Sequence, residues 1–88
     1  MDDELKLAKE NDRGIRAETL LKDDLIVEAF ATLKENYQKE IFKTKLNDDE
    51  GRKHLWLSYN TIEKVEKHLQ EVMLTGKLAN EQINNKKF

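Results

Sequence analysis

The stretch Asp49-Glu50-Gly51-Arg52-Lys53-His54-Leu55-Trp56-Leu57-Ser58-Tyr59-Asn60-Thr61-Ile62-Glu63-Lys64-Val65-Glu66-Lys67-His68-Leu69-Gln70-Glu71-Val72-Met73-Leu74-Thr75-Gly76 decides the fold. Leu55, Ile62 and Leu69 recur at intervals of seven, and Val65 and Val72 repeat that interval on the neighbouring row. Tyr59 and Met73 widen the stripe, which is the pattern of an amphipathic helix laid on a partner. Asp48 or Asp49 supplies an N-cap, because a carboxylate there accepts bonds from the orphan amides of the first turn. Thr75-Gly76 reads as the end, with Gly76 in the left-handed C′ position. The spacing therefore predicts a helix over about 50–75, roughly 40 Å long at ~1.5 Å per residue.

The preceding segment repeats the pattern. Ile26 and Leu33 are seven apart, as are Phe30 and Tyr37, and Ile41 continues the face. A second helix is predicted over about 24–46, capped by Asp23 or Asp24 and ending within Thr44–Asn47. Glu35 with Lys39, and Glu63 with Lys67, are i,i+4 pairs that mark solvent-facing sides. A connection of about three to six residues folds the two helices back as an antiparallel hairpin. Upstream, Asp12 opens a shorter helix over about 12–22, with Ile15, Leu20 and Leu21 as its apolar edge. Residues 1–11 either extend that helix or fray, since Leu5 and Leu7 are too few to decide. From Lys77 onward the chain is polar and Asn-rich, with Leu78, Ile83 and Phe88 as its sizeable anchors. That tail, 77–88, is a candidate for order only on binding a partner. The fold class is all-α: a hairpin of two long helices, a short N-terminal helix and a polar tail, forming one unit over 1–88.

Composition narrows the function. Charged residues make up 39% and hydrophobic ones 38%, with no Pro and no Cys. There is no long apolar run for a membrane span, and MDDELKLAKE lacks the apolar core of a signal peptide. Without Cys there is no disulfide framework and no thiolate zinc site. The net charge of −2 disfavours nonspecific DNA binding by the chain as a whole. Arg52-Lys53 and Lys86-Lys87 break the even dispersal of bases and are the candidate weak phosphate contacts.

No arrangement points to catalysis, a metal or a cofactor. His54 and His68 lie on one predicted helix about 21 Å apart, too far to share a metal or a proton. Asp48, Asp49, Glu50 and His54 could gather around a cation, but one imidazole on an acidic turn reads better as a capping turn. Ser58 has His54 one turn away, without an oxyanion-hole loop or a third orienting group. Gly14, Gly51 and Gly76 are isolated, so no phosphate loop is present. The expectation is a non-enzymatic interaction protein.

Two packed helices and a short third enclose little apolar surface. Leu55, Trp56, Leu57 and Tyr59 nonetheless put large apolar groups around most of one turn, which needs a second neighbour. That neighbour is either the short first helix, through Ile15, Leu20 or Leu21, or another protein surface. Trp56, Leu57, Tyr59, Met73 and Leu78 are the candidate interface residues, and a homo-oligomer is the expected state.

The strings Arg16-Ala17-Glu18-x-Leu20-Leu21, Glu28-Ala29-Phe30, Asp49-Glu50-Gly51-Arg52 and Leu55-Trp56-Leu57 occur in this order. Lys64-Val65-x-Lys67-His68-Leu69 and Thr75-Gly76-Lys77-Leu78-Ala79 follow them. Over about residues 13–82 the chain resembles short helical proteins encoded by tailed bacteriophages and prophages. The resemblance implies a phage particle or the infected bacterial cytoplasm as the setting. It also implies self or other phage proteins as partners, in virion morphogenesis or DNA packaging of the small-terminase or virion-accessory kind. The alternative it leaves open is a host-directed binder that inhibits a bacterial protein.

Overall fold

A computed structural model describes residues 2–85. Three helices make up nearly all of it: α1 (Asp2–Lys22), α2 (Asp24–Lys43) and α3 (Asp49–Asn85). There is no strand among the described residues. α1 and α2 follow one another as a broken arm, and α3 runs back antiparallel along both. α2 meets the first half of α3, where Lys34 pairs with Glu66. α1 meets the second half, where Gly14 abuts Gly76. The molecule measures 64 × 24 × 14 Å, so it is one helix thick. Its radius of gyration is 18.6 Å, against about 12 Å for a compact chain of this length.

The break at Asp23 is what lets one arm follow α3. Along α1 the row Leu7, Gly14, Leu21 faces α3, whereas along α2 the row is Phe30, Tyr37, Thr44. Leu21 and Phe30 are nine residues apart, so an unbroken helix would turn Phe30 about 180° away from Leu21. Asp23 instead adopts extended backbone (φ −68°, ψ 122°) and its side chain accepts from the amides of Leu25 and Ile26 at 2.9 and 3.2 Å. This N-cap restarts the helix in a new phase.

The other turn is held by Arg52. Its Nη1 donates to the Lys45 carbonyl at 2.7 Å and to Thr44 Oγ1 at 3.3 Å. Its Nη2 reaches the Leu46 carbonyl at 3.1 Å and also meets Asp49 Oδ1. Asp48 caps α3 by accepting from the Gly51 amide at 3.0 Å.

Very little is buried. Leu7, Ala17 and Ala79, at 2–9% exposure, are the core, joined by Gly14 and Gly76. These small residues let α1 and α3 approach closely: a Cβ added to Gly76 would lie 2.6 Å from the Gly14 Cα. Around α2 no residue is buried, and Ile26, Phe30, Tyr37, Ile41, Leu55, Ile62 and Leu69 are half-covered.

Three expectations are corrected. Helix α1 begins at Asp2, which settles residues 2–11 as an extension and leaves Asp12 inside a helix rather than capping one. Gly76 does not end α3, because it continues the row Leu55, Ile62, Leu69 to Gly76 and Ile83 as the close-approach point for α1. No described glycine has a positive φ. Residues 77–85, expected as a polar tail, are therefore the last turns of α3 and carry the buried Ala79. Residues 86–88 lie outside the described part. The two-helix hairpin survives in coarse form, with α1 as a full third member rather than a short appendage.

Candidate interaction surface

A slab one helix thick has two broad faces, and their residues follow from the seven-residue rows of α3. Tyr59, Glu66 and Met73 lie along one side of the seam. On that side Lys34 Nζ contacts Glu66 at 2.8 Å, and Gln38 Nε2 donates to the Tyr59 hydroxyl at 3.3 Å. Farther along, Asn11, Ile15 and Glu18 of α1 share a groove with Met73, Lys77 and Asn80. Glu18 pairs with Lys22 at 2.9 Å. This is the ion-paired face. The Glu66 carboxylate holds the Lys34 ammonium above the ordinary lysine value. Lys22, helped by Lys77, holds the Glu18 carboxyl below the usual carboxylate range.

The opposite face carries the rows of Thr61, His68 and Thr75 and of Val65 and Val72. Glu10 and Arg13 of α1 share a groove there with His68, Glu71, Val72 and Thr75. On α2, Leu33 is turned about 100° from Lys34 and so belongs to this side, with Ala29 and Leu25 one and two turns earlier. Leu33 and Val65 are the chain neighbours of the paired Lys34 and Glu66, so they sit at the same level of the slab.

The five residues expected at an interface do not form one cluster. Tyr59 and Met73 are half-covered members of the packed seam, while Trp56, Leu57 and Leu78 are exposed on the outside of α3. Trp56 and Leu78 are about 33 Å apart along the helix. Nor does α1 cover Trp56, which is 56% exposed. The Gly14–Gly76 crossing is 20 residues farther along α3, and Ile15 and Leu20 are themselves exposed. Of the candidate phosphate contacts, Arg52 directs its guanidinium into the 44–48 loop and Lys53 is exposed. Lys86 and Lys87 lie outside the described residues. Ser58 Oγ donates to the His54 carbonyl at 3.0 Å, so its hydroxyl is used within the helix rather than on the imidazole. No group of three or more His, Cys, Asp or Glu is placed to hold a metal among the described residues. No helix there is long and apolar enough to cross a membrane.

What dominates the surface is apolar exposure. Thirteen large apolar side chains, from Leu5 to Leu78, are exposed by 40% or more among the described residues. The accessible surface is 7249 Å², whereas a compact monomer of 10.4 kDa exposes about 5,400 Å². The surplus over a compact chain is about 1,800 Å², as the thin, elongated shape implies. Leu33 and Val65, which the seven-residue spacing assigns to the packed stripes, are among these exposed residues, as is Leu25.

Comparison with protein-family models, with curated proteins and with solved structures gave no match.

Proposed function

We propose that this chain is a non-enzymatic structural or assembly protein that works by helix-mediated association with copies of itself. The observation that carries the reading is the surplus of about 1,800 Å² of surface over a compact monomer. A slab with three buried apolar side chains gains further hydrophobic stabilisation when a face is covered. The resemblance to short tailed-phage proteins supplies the setting: virion morphogenesis or DNA packaging, in the particle or the infected cytoplasm. Within that setting the protein acts as a self-assembling component, and protein rather than DNA is its first partner. Arg52, one of the candidate phosphate contacts, already serves the loop carbonyls.

Light scattering on the purified chain at micromolar concentration tests this. The expected mass is a defined multiple of 10.4 kDa. A monomer at every concentration from micromolar to hundreds of micromolar overturns the reading and favours the host-directed binder.

A further inference from the structure

Only part of the exposed apolar surface is suited to self-association. The ion-paired face carries Trp56, Val27 and Ile15, but Lys34–Glu66 and Glu18–Lys22 sit among them. Covering it would strip water from those charges, at a cost that their mutual attraction seldom repays. The opposite face differs at its centre. Ala29, Leu33 and Asn36 of α2, with Thr61, Val65 and His68 of α3, include no carboxylate, ammonium or guanidinium. The hydroxyls are already provided for: Thr61 Oγ1 donates to the Leu57 carbonyl at 2.8 Å, as Ser58 Oγ does to His54. Burying this patch therefore leaves no hydroxyl donor without an acceptor. Depletion of charge at a patch centre, with charge kept to its edges, is how interface cores are composed.

The charges bordering the patch show how a partner would lie. Arg13 is near Val72 and Thr75, about 10 to 15 Å along the slab from Val65 in one direction. Glu40, loosely paired with Lys43 at 3.8 Å at the exposed edge of the patch, follows Leu33 by one seven-residue step, about 10 Å in the other direction. A second copy reversed about a two-fold axis near Val65 places each Arg13 opposite the other chain's Glu40. The same operation brings the two Val65 side chains together.

We infer that the charge-poor face, centred on Leu33 and Val65, is the dimer interface of this chain, with a reversed second copy completing a two-layer, four-helix body. This rests on the self-association reading and adds to it the face, the symmetry and the residue at the axis. The area fits, since a broad face of 64 × 24 Å, about 1,500 Å² in projection, lies in the range of roughly 1,000–2,500 Å² per chain that an obligate homodimer buries.

The chain has no Cys, so a single introduced thiol reports on proximity without interference. Val65→Cys under mild oxidation is expected to give a covalent dimer on a non-reducing gel, because a disulfide needs the two Cα atoms within about 7 Å. Trp56→Cys, on the other face, is expected to stay monomeric on that gel. In parallel, Val65→Glu is expected to weaken association about a hundredfold by burying like charges at the axis, while Trp56→Glu leaves the mass unchanged. If the parent chain associates, but Trp56→Cys cross-links and Val65→Cys does not, the face is wrong and the self-association reading stands. If the parent chain is a monomer at every concentration, both fall.

Discussion

Replacing Gly76 by Ala sets two effects of known sign against each other. In a helix interior Ala is favoured over Gly by ~1 kcal/mol, so helix propensity alone predicts stabilisation. The crossing predicts the reverse. A Cβ on Gly76 stands 2.6 Å from the Gly14 Cα, 2.8 Å from the Glu10 carbonyl oxygen and 3.1 Å from the Gly14 nitrogen. Ordinary contact begins at 3.4 Å, so α1 and α3 must part by about 0.8 Å against backbone that cannot rotate aside. Such overpacking costs ~1–3 kcal/mol, and it loosens the seam where Leu7, Ala17 and Ala79 are buried. The net is a loss of up to roughly 2 kcal/mol, or up to about 15 °C in the thermal midpoint of a domain this size. Thermal melts followed by far-ultraviolet circular dichroism at one fixed protein concentration provide the assay. Gly14→Ala should behave alike, and the double variant should lose less than the sum, because the first substitution already opens the crossing. A midpoint for Gly76→Ala raised by the ~4–8 °C that helix propensity alone predicts would refute the close crossing.

Other perturbations test other joints. Asp23→Ala should cost ~1 kcal/mol through the lost N-cap, seen as a lower denaturation midpoint with similar helix content. Arg52→Ala should destabilise by about 1–2 kcal/mol and speed amide exchange in residues 45–48, since the loop carbonyls lose their charged donor. A double-mutant cycle on Lys34→Met and Glu66→Gln should give a coupling of at most about 1 kcal/mol near neutral pH. Because the pairing raises the Lys34 value, that coupling persists below the ordinary lysine range and is lost as pH rises through the raised value. A coupling that grows in alkali would contradict the pairing.

Much of the backbone was legible because its signals are local. The seven-residue row Leu55, Ile62, Leu69 marks α3, and Asp23 and Asp48 cap the helices that follow them. The reach of α1 was not legible, because its seam is built from Leu7, Gly14 and Ala17, and small residues leave no hydrophobic periodicity to read. Gly76 misled for the same reason. A glycine after Thr75 has the look of a helix end, whereas its place in the row of Leu69 and Ile83 indicates a seam position. Trp56 drew attention by size, but it lies on the face whose neighbours are ion-paired. The charge-free centre around Leu33 and Val65 becomes visible only when α2 and α3 are set side by side, since the residues that form it are distant in sequence.

The central claim is that this thin slab completes its core only by association, and the dependence of thermal stability on protein concentration tests it most directly. Folding coupled to dimerisation makes the midpoint rise with protomer concentration by mass action. Melts at concentrations from about 1 to 100 µM should show a steady upward shift of several degrees. A midpoint independent of concentration across that range would mean that the slab is stable alone, and would contradict the account.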